Sequence, residues 1–145
     1  MKKILIINGP NLNLIGKREK KIYGNKNIFY YLKKLKKNFF KKNIKILFTF
    51  LNCEGEIINL LQKLYIKNKN LLGLIINVGA FSHTSLAISD TLKYIKKKIK
   101  IVEVHISNIF KREKIRHKSL ISTYTNGIIL GFGLKVYYLG IISLL

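Results

Sequence analysis

Residues 3–16 read KILIINGPNLNLIG, an unbroken apolar run that stops at an Asn-Gly-Pro-Asn turn. Such a run, Ile- and Leu-rich without polar alternation, suits a strand buried on both faces, as in the interior of a parallel sheet. The pattern recurs at 44–50, 72–77 and 99–105, with a weaker fifth run at 127–130. Helical patterns fall between the runs. Asn27 caps 28–41, where Phe29, Leu32, Leu35 and Phe39 mark one face and lysines fill the other. Residues 54–68 carry Ile57, Ile58, Leu61, Leu64 and Tyr65 at helical spacing, and 84–97 carry Leu86, Ile88, Leu92 and Ile95. Strands alternating with helices predict right-handed crossovers and a parallel sheet covered on both faces, an α/β architecture. No repeat and no Pro/Ser-rich linker interrupts the pattern, so 1–145 reads as a single domain.

The 145 residues are 48% apolar, which excludes a disordered chain and supports a core without disulfides or metal. The one cysteine, Cys53, precludes an internal disulfide and fits a reducing compartment. The N-terminal apolar run is too short for a signal peptide, so a cytoplasmic protein is expected. The apolar tail 127–145 poses a choice between membrane anchor and packed helix. Lys135 and the glycines at 127, 131, 133 and 140 favour a short strand, a break at Gly131-Phe-Gly133, and a final helix packed in a core or subunit interface.

A net charge of +22 points first to nucleic acid or an anionic membrane. Yet 25 of the 28 cations are lysines, in a chain that also carries 25 isoleucines and 14 asparagines. That is the composition an AT-rich genome writes at unconstrained positions, whereas base-reading surfaces favour the bidentate fork of arginine. The lysines therefore read as a solvated surface, and a basic nucleic-acid-binding module is the alternative reading. The rare residues are more informative. Arg18, Arg112 and Arg116 are the only arginines, and the six acids are Glu19, Glu54, Glu56, Asp90, Glu103 and Glu113. Lysine cannot replace a planar, always-charged guanidinium, so three arginines in a lysine-saturated chain mark positions with a geometric demand.

Each apolar run leads into a polar segment: Asn8 to Gly16 with Arg18 and Tyr23, then Asn52-Cys-Glu-Gly-Glu56, Asn77-Val-Gly-Ala-Phe-Ser-His83-Thr-Ser85, and Glu103-Val-His105-Ile-Ser-Asn108 with Arg112 and Arg116. In an open α/β sheet the carboxyl ends of the strands form the ligand crevice, so these segments are expected to converge there. Glu103 and His105, two apart on a strand, share a face. A carboxylate that orients an imidazole suits general acid or base chemistry, and equally suits a structural pair. His83, His105 and Cys53 lack metal-ligand spacing. Ser107-Asn108 opens a turn that either presents backbone N–H groups to an anion or merely caps it. Tyr23 lies on a long loop with Arg18, where nearby guanidiniums would favour its phenolate; alternatively it is a packing residue. Asn77 and His83 have no apolar reason for their places and suit recognition of hydroxyl groups. Thr84 or Ser85 reads as a helix cap and Asp90 as a solvated helix acid. Asn11 and Asn13 either orient a water or enolate oxygen or shape the turn after Pro10.

Taken together, NGPNLNLIG at 8–16 with Arg18-Glu19 and Tyr23-Gly24, EGE at 54–56, Asn77 with His83-Thr-Ser85, VEVHISN at 102–108, and Arg112-Glu113 with Arg116-His117 strongly resemble type II 3-dehydroquinate dehydratase. The resemblance runs from residue 3 to about 141 and implies a flavodoxin-like three-layer sandwich on a five-stranded parallel sheet. The implied activity is trans-dehydration of 3-dehydroquinate to 3-dehydroshikimate, a step of the shikimate pathway. Carried over, Tyr23 is the base for the C2 proton, Arg18 holds it as phenolate, and Asn11 places a water against the enolate. His105, oriented by Glu103, protonates the departing C1 hydroxyl. Asn77, His83, Asp90, Ile106, Ser107, Arg112 and Arg116 bind substrate, with Ile106 and Ser107 offering main-chain donors to its carboxylate. The resemblance further implies a homododecamer built from trimers, with Asp90 serving a neighbouring subunit, and no cofactor, metal, nucleic acid or membrane. The chain departs from the family pattern at Thr49-Phe-Leu-Asn52-Cys53, where Arg-Gln-Ser and a His are expected, a region that the resemblance places outside the catalytic set. It departs again at Val78, where Pro or Ala is common.

Overall fold

Along the first strand, alternate side chains enter two different cores. In the computed structural model, which describes residues 1–16, 27–67 and 69–145, β1 spans Lys2–Asn8. Its Ile4 and Ile6 pack into one apolar cluster, and Leu5 and Ile7 into another. This is the period-two alternation of a strand with both faces covered. The other strands are β2 (Ile44–Phe50), β3 (Leu71–Asn77), β4 (Ile101–His105) and β5 (Gly127–Leu130). All pair in parallel, in the order β2-β1-β3-β4-β5. That is the flavodoxin-like order, whose switch point lies between β1 and β3.

Helices cover the two faces. On one side lie α1 (Ile28–Phe40) and α5 (Lys135–Ser143); on the other lie α2 (Glu54–Ile66) and α4 (Leu86–Ile95), the latter preceded by the single turn α3 (Phe81–Thr84). The Asn27 side chain caps α1 by accepting from the Phe29 and Tyr30 N–H groups. The buried stripe of α1 is Ile28, Leu32, Leu35 and Phe39, so the expected Phe29 is displaced by its neighbour and lies 42% exposed. The helix expected over 84–97 is likewise revised. Ser85 breaks it, its hydroxyl capping α4 through the Ile88 N–H at 2.9 Å, and Leu86 lies outside the core. Helix α2 ends at Ile66, two residues before the expected end; Asn68 itself lies outside the described residues. The strand expected from residue 99 begins at Ile101.

The break read at Gly131-Phe-Gly133 is present, with both glycines at positive φ (88° and 59°). It turns the chain so that α5 buries Val136, Tyr137, Gly140 and Ile141. Among the described residues no helix is long and apolar enough to cross a membrane.

At the switch point the turns after β1 and β3 touch. A Cβ on Gly9 would stand 2.5 Å from the carbonyl carbon and oxygen of Val78, so the backbone there would have to shift. The missing side chain at residue 9 is thus what lets the two turns meet. Gly9→Ala is expected to destabilise the fold by about 1–3 kcal/mol, read as a lower urea midpoint, whereas Gly127→Ala, with open space around it, should change stability by no more than about 0.5 kcal/mol.

Candidate active site

Three strands end on polar side chains at the same edge: β1 on Asn8, β3 on Asn77 and β4 on His105. Beyond them the chain lines an open cavity of about 210 Å³ whose wall includes Asn11, Asn77, His83, His105, Ile106, Ser107, Arg112 and Arg116. Eight of the twelve expected site residues therefore meet in one crevice. Glu103 lies behind the wall, fully buried. Asp90 does not join them; it sits exposed on α4. Tyr23 and Arg18 fall outside the described residues, as does the adjoining Glu19.

His105 lines the crevice and Glu103 backs it. Both stand on β4, two residues apart and so on one face, with Glu103 Oε1 2.6 Å from His105 Nε2. A carboxylate with no solvent needs its lone pairs filled. Ser119 Oγ donates to Oε1 at 2.6 Å, and Ser122 Oγ donates to Oε2. Burial pushes the Glu103 carboxyl up, but the hydrogen bond and charge of His105 and the two serine hydroxyls outweigh it and hold the group below its ordinary value. With Nε2 committed to the carboxylate, Nδ1 is the His105 nitrogen that remains for a ligand.

His83 stacks on His105 with ring centroids 5.9 Å apart and planes 23° from parallel. Its Nδ1 lies 2.8 Å from the Lys118 carbonyl. A carbonyl only accepts, so Nδ1 carries the proton and Nε2 of the neutral ring is an acceptor. Burial lowers the His83 pKa, the Lys118 carbonyl opposes this, and the charges of His105 and Arg116 add to the lowering, with Glu103 opposing. One ring is thus biased to stay neutral beside another that is hydrogen-bonded to a buried carboxylate.

Arg112 and Arg116 converge on Glu113, whose Oε2 lies 3.7 Å and 3.3 Å from their Nε atoms. Glu113 is exposed, so its value is orientation rather than stability. Asn108 caps the following turn by accepting from the Phe110 N–H at 3.1 Å. The carbonyls of His105 and Ile106 accept from Gly131 and Gly133, which pins the Ile106–Ser107 turn. Asn11 adopts a left-handed conformation (φ 66°), and its N–H donates to Asn52 Oδ1 at 3.0 Å. Glu54 reaches away from the crevice to accept from the Ser85 hydroxyl. Among the described residues no three His, Cys, Asp or Glu side chains cluster as metal ligands would.

The sequence model of the family "Dehydroquinase class II" matches residues 2–145. The chain belongs to this family. The chain is similar to the 3-dehydroquinate dehydratases of Caldicellulosiruptor saccharolyticus (46% identical, covering 99% of this chain and 97% of that one) and Prochlorococcus marinus (48%, covering 97% and 92%). It is likewise similar to the crystal structure of the type II dehydroquinase from Butyrivibrio crossotus, with a TM-score of 0.91, 44% identity, and 99% and 97% of the two chains covered.

Four side chains that the sequence did not mark as site residues stand behind the crevice wall. Ser119 and Ser122 complete the Glu103 shell, Asn52 ties down the Asn11 turn, and Tyr137 reaches Asn77 with its hydroxyl at 3.0 Å. None has a sequence signature, because each is defined by a partner at least 16 positions away. The segment 49–53 that departs from the family pattern is therefore in touch with the crevice within one chain.

Two outcomes follow from the electrostatics. Glu103 has a lowered folded pKa, so its contribution to stability is complete above the unfolded value near 4.5 and is lost as pH falls through the folded value. Urea midpoints measured from pH 7 downward should fall below about pH 4.5 more steeply in the unaltered protein than in Glu103→Gln. For His83, an NMR titration should give a midpoint below 6.5, and Arg116→Gln should move that midpoint upward by removing a nearby positive charge.

Proposed function

We propose that the crevice carries the dehydration of 3-dehydroquinate to 3-dehydroshikimate, a lyase reaction of the shikimate pathway, with the residues at the carboxyl ends of β1, β3 and β4 as its machinery. The observation that carries this reading is the buried Glu103–His105 pair, opening on a crevice at the β1/β3 switch point in a chain that matches the class II dehydroquinases along its length.

The reaction removes a proton α to a ketone and expels a β-hydroxyl. The proton needs a base, the enolate needs a donor, and the departing oxygen needs an acid. Tyr23 is the base that takes the C2 proton, with Arg18 favouring its phenolate. Asn11 places a water whose hydrogen faces the enolate oxygen. His105 then gives its proton to the C1 hydroxyl, which leaves as water, while Glu103 stabilises the imidazolium that precedes the transfer. Asn77 and the neutral, acceptor-bearing His83 take the substrate hydroxyls. Arg112, Arg116 and the Ile106–Ser107 main chain take its carboxylate. Glu113 supports this by holding both guanidiniums toward one place before any ligand arrives.

Assembly as a homododecamer, a tetramer of trimers, belongs to the same reading. In its support, Asp90 is exposed on α4 and outside the crevice of its own chain, where it is able to serve a neighbour. Residues 1–145 act as one catalytic domain in the cytoplasm.

A continuous assay of the conjugated enone product tests the reading. The unaltered protein should turn over 3-dehydroquinate, and Tyr23→Phe and His105→Ala should each lose on the order of 10²–10⁴ in kcat. Full activity in both variants would end the assignment.

A further inference from the structure

Behind the crevice runs a line of hydrogen bonds that this mechanism does not use. Asn8 Nδ2 donates to the Thr49 carbonyl at 3.1 Å. The Tyr137 hydroxyl donates to Asn8 Oδ1 at 2.6 Å. Asn77 Nδ2 donates to the Tyr137 oxygen at 3.0 Å, and Asn77 Oδ1 accepts from the Gly79 N–H at 3.4 Å. Asn8 and Tyr137 are completely buried and Asn77 is 3% exposed, so solvent does not compete for these groups.

The line has only one consistent direction. A backbone carbonyl can only accept, so Asn8 must turn its Nδ2 to Thr49 and its Oδ1 to Tyr137. A phenol has a single proton. Burial raises the Tyr137 pKa far above the ordinary tyrosine value, and the Asn77 hydrogen bond offsets this only in part, so that proton stays in place. Since the proton goes to Asn8, the phenolic oxygen must accept, and Asn77 must present Nδ2 to it. The Gly79 N–H selects the same amide orientation independently, from the opposite end. A flipped Asn77 would bring two acceptors face to face at Tyr137 and two donors face to face at Gly79.

We propose that Tyr137 and Asn8 are positioning residues for Asn77, a relay from the Thr49 carbonyl that fixes which end of the Asn77 amide meets a ligand hydroxyl in the crevice. The relay leaves one Nδ2 hydrogen and one Oδ1 lone pair on Asn77, each at a set place, for a group that both donates and accepts. This inference rests on the reading of Asn77 as a substrate-binding residue.

Tyr137→Phe, Asn77→Ala and the double variant, each assayed with 3-dehydroquinate and each melted, test it. Tyr137→Phe should raise KM about three- to tenfold while kcat stays within about twofold, as for an interaction made equally in ground and transition states. On the Asn77→Ala background the same change should raise KM no further. A lower melting temperature with unchanged KM, or increases in KM that add in the double variant, would overturn the proposal. Proton NMR of the unaltered protein reads the relay without any variant or turnover. The Tyr137 hydroxyl should give a slowly exchanging resonance with cross-peaks to the Asn77 Nδ2 protons; exchange as fast as that of an exposed tyrosine would overturn the relay. That resonance in a protein inactive on 3-dehydroquinate would support the relay and overturn the substrate reading alone.

Discussion

A carboxylate with no water around it sets the terms for the rest of this molecule. Glu103 is fully buried beneath a crevice, and left unpaired its charge would cost several kcal/mol. The fold answers with the His105 imidazole and the Ser119 and Ser122 hydroxyls, drawn from β4 and from the chain that follows it. The answer to a stability problem thereby also fixes the side chain that the proposed reaction uses as its acid. The ring that meets the carboxylate is held in one orientation with its second nitrogen left for a ligand. The neighbouring His83 is held neutral by burial and by the positive groups around it.

The sheet makes this arrangement possible at its switch point. Because β1 and β3 are adjacent, the Gly9-Pro10 and Val78-Gly79 turns meet with no side chain between them, and the crevice opens beside that meeting. The end of β2 supports it from outside. Thr49 and Asn52 hold Asn8 and the Asn11 turn, one through its carbonyl and the other through its side chain. This segment departs from the family pattern in residue type, yet the tie to Asn8 uses only backbone oxygen, which any residue at position 49 supplies. Chemistry of that kind tolerates drift in the side chains around it.

Much of this was legible in the residues. The strands are short, mostly apolar runs rich in Ile, Leu and Val and bounded by turn residues, and all five lie where those runs lie. The helix faces were less legible. Phe29 and Ile28 are adjacent and both apolar, so periodicity alone cannot choose between them, and packing against the sheet selected Ile28. The single turn α3 is too short for periodicity and was not expected as an element, although Ser85, one of the two expected caps, does cap α4. In the site, the residues that line the crevice were legible because they follow strand ends, and its arginines and histidines are rare types in a lysine-rich chain. Ser119, Ser122, Asn52 and Tyr137 were not. Serine, asparagine and tyrosine occur throughout the chain, and their importance comes from partners that only the tertiary fold supplies.

The hydrogen bond from Tyr137 to Asn8 spans 129 positions of sequence. During synthesis the first strand leaves the ribosome long before the last helix exists, and through that interval Asn8 and Asn77 have no phenol between them. The bonds that order these two amides therefore form only after Tyr137 has been made, however early the individual turns emerge.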